Sequence, residues 1–246
     1  MFLVTGANTG LGFETARALA KKNAFVILAG RDQHKIYQAM LNIRAEKPEA
    51  RLEAGLVDLS DLSSVQAFAE SILAKHQRLD VLVNNAGVMF PPPGKTKDGF
   101  ELQFGVNFIA HFALTARLLP LLKKTPGSRV VTLSSIAHKN GKIDFDNLKL
   151  EKPYNKFREY GQSKVADLLF ALELQRRLEK NGLDIISVAA HPGISKTELL
   201  RTDQPEMINE FPHMSASQGA LSSLLAATGK LEGGSYIGPD GEGEMT

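Results

Sequence analysis

Short apolar runs alternate along the chain with longer stretches of mixed character. Phe2-Leu3-Val4, Ala24-Phe25-Val26-Ile27-Leu28-Ala29, Arg51 to Val57, Leu79-Asp80-Val81-Leu82-Val83, Arg129-Val130-Val131-Thr132-Leu133 and Asp184 to Ala189 each read as a strand, with Ser235-Tyr236-Ile237 a short seventh. The second run is apolar at every position, as expected of a parallel strand covered by helices on both faces. Between the runs lie six helical stretches. The first reaches about Lys22. The second is capped by Asp32 and stops near Glu46, before Pro48. Ser60 or Asp61 caps the third, and the fourth covers about Gly99 to Leu122. The fifth follows Tyr160 to about Lys180, where Asn181-Gly182 ends it, and the sixth runs from Ser217 to Ala227. This alternation predicts an α/β fold: a doubly wound, mainly parallel central sheet of about seven strands flanked by helices, in one domain over residues 1–246.

The first strand runs into Thr5-Gly6-Ala7-Asn8-Thr9-Gly10-Leu11-Gly12 and then a helix. Gly6, Gly10 and Gly12 permit a tight turn, let the backbone approach a pyrophosphate and pack the helix close to the sheet, the Rossmann arrangement in which N-terminal amides bind the anion. The position after the second strand, where an acid would accept the hydroxyls of a free adenosine ribose, holds Gly30-Arg31. A guanidinium suits a 2′-phosphate, so NADP(H) is the expected cofactor. Asp58, after the third strand, either accepts from the adenine amino group or caps a helix.

Tyr160-Gly161-Gln162-Ser163-Lys164 precedes the apolar stretch Val165 to Leu172. On a helix, Tyr160 and Lys164 share one face, and a fixed cation beside a phenol favours its charged form. The pair is thus a candidate for moving a proton.

Composition removes other chemistries. There is no cysteine, hence no disulfide, thiolate nucleophile or cysteine metal site. The net charge of +2 comes from 29 basic and 27 acidic residues scattered along the chain, which gives no footprint for nucleic acid or an anionic membrane. Arg117 and Asp167 interrupt the longest apolar runs and no signal-peptide pattern precedes Thr5, so a soluble, cytoplasmic protein without a transmembrane segment is expected. His111, His138, His191 and His213 lack paired ligand spacing, and no metal is assigned.

Over essentially its whole length the chain resembles the short-chain dehydrogenase/reductase family. The matching motifs, in order, are Thr5-Gly6-x-x-x-Gly10-x-Gly12, Asn84-Asn85-Ala86-Gly87, Asn107, Ser134-Ser135, Tyr160-x-x-x-Lys164 and Pro192-Gly193. Leu28-Ala29-Gly30-Arg31, Ser134-Ser135-Ile136-Ala137-His138 and His191-Pro192-Gly193 look most like the branch of retinol dehydrogenases and WW-domain oxidoreductases. Protochlorophyllide reductases stand near this branch but use a cysteine, which is absent here.

The resemblance implies hydride transfer between nicotinamide and a carbonyl or alcohol carbon. Tyr160 exchanges the proton, Ser135 bonds the substrate oxygen, and Lys164 assists the tyrosine and holds the nicotinamide ribose. Asn107 fixes a helix irregularity and a water in the proton relay. The resemblance also places Asn8, Thr9, Leu11, Leu59, Asn85, Ala86, Gly87, Pro192, Gly193 and Ile194 against the cofactor, with Thr197 holding the carboxamide. Ser135 and Tyr160 are 25 positions apart, about twice the usual family spacing, and the insertion Lys139 to Glu159 is expected to form a loop beside the substrate.

A substrate lid is expected around 195–216. Leu199, Leu200, Met207, Ile208 and Phe211, with Pro205 and Pro212, either bury a lipophilic substrate or pack the lid on the core, and the resemblance alone suggests retinal as one candidate. Met89 and Phe90, before Pro91-Pro92-Pro93, carry the same two readings. Leu168, Leu169, Phe170, Leu172 and Leu174 exceed one buried stripe, so a homodimer or homotetramer is expected, as is common in the family. A cofactor-binding sensor that does no chemistry is the alternative class, and the complete set Asn107, Ser135, Tyr160 and Lys164 argues against it.

Overall fold

In the parallel strands of this chain, neighbouring residues point to opposite faces and both faces are apolar, because helices cover each side. In the computed structural model, which describes residues 1–197, 199 and 213–241, β1 (Phe2–Thr5) is flanked by β2 (Val26–Gly30) and β4 (Val81–Asn84). β3 (Leu52–Leu56) lies outside β2, and β5 (Ser128–Leu133) and β6 (Ile185–Ala190) continue beyond β4. A separate parallel pair, β7 (Ser195–Lys196) with β8 (Met214–Ser215), was not expected from the sequence. β9 (Tyr236–Ile237) completes the main sheet in the order β3-β2-β1-β4-β5-β6-β9, all parallel. The seven-strand doubly wound sheet is thus present.

On one face, Val4, Leu28, Val83 and Val131 pack with Ala16, Leu19, Ile36 and Ala226. These last come from α1 (Gly10–Lys21), α2 (Gln33–Glu46) and α6 (Ala216–Thr228). On the other face, Leu3, Ile27, Leu82 and Val130 meet α3 (Leu62–Lys75), α4 (Leu102–Lys123) and α5 (Lys156–Lys180) through Val65, Ile72, Leu114, Leu118 and Leu178. By length and composition α4 would suffice to cross a membrane, but more than half of its apolar window is buried here, as in a core helix.

Several boundaries differ from the sequence reading. Asp61 caps α3 by accepting from the Ser63 N–H, whereas Ser60 bonds back to Asp58. Asn155 accepts from the Phe157 and Arg158 N–H groups, so α5 begins four residues before Tyr160. Leu79 and Asp80 precede β4, and Ala24 and Phe25 precede β2. α4 is interrupted by a π turn over Gly105–Ile109. Of the expected lid, Leu200, Pro205, Met207, Ile208, Phe211 and Pro212 lie outside the described residues.

Candidate active site

β1 and β4 are neighbours whose chains turn away in opposite directions, and the crevice at their carboxyl ends is where such sheets bind ligands. Thr5 ends β1. Its hydroxyl accepts from the N–H groups of Asn85 (2.9 Å) and Ala86 (3.0 Å), while Asn85 Nδ2 donates to the Thr5 carbonyl at 2.7 Å. These bonds press the Asn85-Ala86-Gly87 turn onto the glycine turn. Gly6 has φ +64°, and a Cβ there would stand 2.9 Å from Ala86 Cα; one at Gly12 would overlap the Gly6 carbonyl oxygen.

Gly10 faces Thr197: a Cβ on Gly10 would reach 3.3 Å from Thr197 Cβ. Pro192, Gly193 and Ile194 lead from β6 to that threonine, and Ser195 Oγ fixes the bend by donating to the Pro192 carbonyl at 2.9 Å. Asn8 approaches β2, its Oδ1 being 3.0 Å from where a Gly30 Cβ would stand, and Leu11 packs towards Gly219 of α6. Thr9 precedes α1 without a side-chain cap bond, which leaves first-turn amides for an anion. The backbone therefore forms a cradle, closed to side chains at Gly6 and Gly12, that fits a dinucleotide pyrophosphate.

Arg31 follows β2 and is exposed. Lys35, in the first turn of α2, lines a hollow with Asn8 and Thr9. The sequence reading did not single it out, although a second cation four residues after Arg31 was a usable signal. Asp58 Oδ1 accepts from Ser60 N–H (2.9 Å) and Ser60 Oγ (2.7 Å), so part of its carboxylate serves its own turn. The Leu59 side chain is buried in the core, which leaves its backbone to meet a ligand.

Tyr160 and Lys164 lie on the inward face of α5, where the polar run Glu159, Gln162, Ser163 and Lys164 is buried. Lys164 Nζ is 5.9 Å from the Tyr160 ring centroid and donates to the Leu133 carbonyl at 3.0 Å and to Asp167 Oδ2 at 2.8 Å. Burial opposes the lysine's charge, but Asp167 and Tyr160 outweigh it and hold Lys164 above its ordinary value. Burial pushes the Asp167 carboxyl up to about 7 despite the nearby ammonium.

The two serines after β5 have different surroundings. Ser134 is buried and donates to the Lys164 carbonyl at 2.7 Å, tying α5 to β5. Ser135 is half-buried, and its Oγ accepts a 3.2 Å bond from Ala137 N–H at the start of a 3-10 turn, Ile136–Asn140. That turn packs closely on α5, since a Cβ at Gly141 would overlap the Gly161 carbonyl oxygen. Ser135 is thereby brought to the Tyr160 end of the helix.

Asn107 sits inside the π turn, a feature that recurs at functional sites. Its Oδ1 accepts from Val88 N–H at 2.8 Å, and its Nδ2 donates at 3.0 Å to the Val88 carbonyl and to Ser163 Oγ. The side chain thus joins the Gly87-Val88 turn to α5. The Asn107 backbone carbonyl lies 2.7 Å from His111 Nδ1, and His111 Nε2 lies 2.9 Å from Thr5 Oγ1. A carbonyl can only accept, so Nδ1 carries the proton and Nε2 accepts from the Thr5 hydroxyl. Burial lowers His111 to about 4, which keeps this neutral tautomer.

The insertion after Ser135 is pinned to the same face. Asp144 N–H donates to Gln162 Oε1 at 2.7 Å, Asn147 Nδ2 donates to the Glu159 carboxylate, and Tyr154 OH donates to the Pro91 carbonyl at 2.7 Å. It therefore lies against the Phe90 loop, and Phe90 contacts both Phe157 and Tyr160. His138 and His191 both contact the Tyr236 ring, and among the described residues no cluster of histidines and carboxylates could hold a metal ion.

The short chain dehydrogenase family profile matches residues 1–208. Mouse retinol dehydrogenase 12 is 46% identical over 230 residues, covering 92% of this chain and 72% of that protein. Mouse polyprenol dehydrogenase is 41% identical over 256 residues, covering 98% and 76%. The crystal structure of an uncharacterised protein from Mycobacterium paratuberculosis superposes with a TM-score of 0.80 at 41% identity, covering 97% of this chain and 80% of that one. The chain spans from 59% to 76% of the length of the curated relatives it matches.

Proposed function

The chain belongs to the short-chain dehydrogenase family of oxidoreductases, and from that premise we propose that it is an NADP(H)-dependent enzyme interconverting lipophilic carbonyl compounds and their alcohols. The observation that carries the reading is the convergence of Tyr160 and Lys164 on one buried helix face with Ser135 alongside and the glycine cradle across the crevice. A bound nicotinamide supplies or accepts the hydride. The chain does the rest. In reduction, the Tyr160 hydroxyl gives its proton to the substrate oxygen, and in oxidation it takes the proton back. Ser135 Oγ donates its O–H to that oxygen while still accepting from Ala137 N–H, because the two bonds use different parts of the hydroxyl. The Lys164 ammonium has a third N–H beyond those given to Leu133 and Asp167, and its charge favours a negative Tyr160 oxygen.

The glycine turn holds the pyrophosphate, and Arg31 with Lys35 binds a 2′-phosphate. The lipophilic substrate class is supported by the names of the relatives, which refer to retinol and polyprenol. It is also supported by the Phe90 ring, which lies beside Tyr160 and against Phe157. The test is a series of aliphatic aldehydes of increasing length, with retinal, assayed with NADPH and with NADH. Each buried methylene contributes about 0.8 kcal/mol, so KM should fall up to roughly fourfold per added carbon until the pocket is filled. Efficiency that is flat along the series, or greater with NADH, contradicts the reading.

A further inference from the structure

Asp167 lies almost one turn beyond Lys164 on α5, as an acid inside the apolar stretch Val165-Ala166-Asp167-Leu168-Leu169. It does not face solvent. Its exposure is 1%, Oδ2 is bonded to Lys164 Nζ at 2.8 Å, and Oδ1 is buried without a hydrogen-bond partner. A half-satisfied carboxylate in such a place carries a desolvation cost, offset by its ion pair with Lys164.

The elements packed on α5 are β5, β6, the 3-10 turn and the first turn and π turn of α4. Their titratable or charged side chains are Arg129 on β5, His138 and Lys139 on the 3-10 turn and His111 on α4, with Tyr160, Lys164 and Glu173 within two turns of Asp167 on α5 itself. Arg129 donates to the Ala226 and Gly229 carbonyls, His138 is bonded to the Ser135 carbonyl and Tyr236, and His111 is bonded to Asn107 and Thr5. Lys164 is the charged group bonded to Asp167. The order along the helix is thus Tyr160, Lys164, Asp167: the phenol, its cation, and a counter-charge to that cation.

We propose that Asp167 is a positioning residue that anchors the Lys164 ammonium and offsets part of its charge, so that its own protonation sets how strongly Lys164 favours a negative Tyr160 oxygen. The inference rests on Tyr160 and Lys164 being the reacting pair. With Asp167 ionised the pair is neutral, and Lys164 lends less positive charge to the Tyr160 hydroxyl, which suits it as the donor in carbonyl reduction. With Asp167 protonated the cation is uncompensated, which favours Tyr160 as the acceptor in alcohol oxidation. Burial raises the Asp167 carboxyl above the ordinary carboxylate range despite the bonded ammonium.

The experiment compares wild type with Asp167→Asn, which keeps the size and an acceptor for Lys164 Nζ. Oxidation of 1-decanol with NADP+ and reduction of decanal with NADPH are followed from acid to alkaline pH. In the variant, the rising limb of kcat/KM for oxidation moves to lower pH by about one unit, the low end of the effect of one adjacent charge. Oxidation at neutral pH then gains several-fold relative to reduction. A profile of unchanged shape, merely scaled down at every pH, overturns the inference and leaves the proposed function standing; a wild type inactive in both directions with either cofactor overturns both. Should the variant not fold, a carboxyl carbon-13 NMR titration of wild type decides. An Asp167 signal titrating above about pH 6 supports the inference, and one already ionised at about pH 5 overturns it.

Discussion

Phe90 stands edge-on to Tyr160, with ring centroids 5.5 Å apart and planes inclined at 75°. The backbone of Phe90 is left-handed, at φ +54°, which is strained for a bulky residue. It is held there by its N–H bond to Gln103 Oε1 (3.0 Å) and by its second edge contact, with Phe157 at 4.7 Å. The strained loop thus sets the attitude of the tyrosine ring. Phe90→Ala should lower stability by about 3 kcal/mol, read by urea unfolding. It should also reduce kcat at least tenfold with little change in NADPH affinity. Unchanged turnover in a folded variant would show that Tyr160 needs no such support.

Arg31 is the exposed cation at the end of β2, with Lys35 nearby at the start of α2. A charge-assisted bond to a 2′-phosphate contributes about 1.5–3 kcal/mol. Arg31→Ala should therefore raise the Kd of NADPH by about tenfold or more and leave that of NADH nearly unchanged, as measured by titration calorimetry. Equal weakening of both cofactors contradicts the assignment.

His111 gives a pH dependence of stability whose sign is fixed by burial. Its folded value, about 4, is below the ordinary 6.5, so between these values the unfolded chain binds a proton that the native state refuses. The contribution is fully present above about pH 6.5 and is lost as pH falls towards 4, by roughly 3 kcal/mol in all. Urea midpoints between pH 7 and 4 should fall more steeply for wild type than for His111→Gln. Parallel curves would mean that the histidine titrates freely.

Much of the fold was legible because each central strand is buried on both faces and reads as an apolar run. The candidate site could be picked out where its proposed chemistry depends on residue type at fixed spacing, as in the glycine turn and Tyr160-x-x-x-Lys164. What escaped depends on partners distant in sequence. The early start of α5 follows from the Asn155 cap inside the insertion. The inward polar face of α5 is supported by such bonds as Lys164 Nζ to the Leu133 carbonyl and Asn147 to Glu159. A hydrophobicity pattern reads those residues as solvent-facing, so Asp167 looked like a break in an apolar run rather than a buried counter-charge.

The outer faces of α4 and α5 bear on assembly. Phe112 and Leu169 are half exposed, Leu172 is 41% exposed, and the Phe112 and Phe170 rings lie 5.5 Å apart across the two helices. An apolar patch of this kind on two adjacent helices is suited to self-association. Light scattering at micromolar concentration should give a dimer or tetramer, and Leu169→Glu should shift it to monomer. A wild-type monomer under those conditions contradicts the expectation.

The central claim is that the Tyr160 hydroxyl moves the proton, and Tyr160→Phe tests it most directly because the ring, its contact with Phe90 and the cofactor cradle all remain. The measurement is kcat for aldehyde reduction alongside the Kd of NADPH. The expected result is a loss of turnover of about a hundredfold or more with cofactor affinity nearly unchanged, whereas near-normal turnover in this variant contradicts the mechanism.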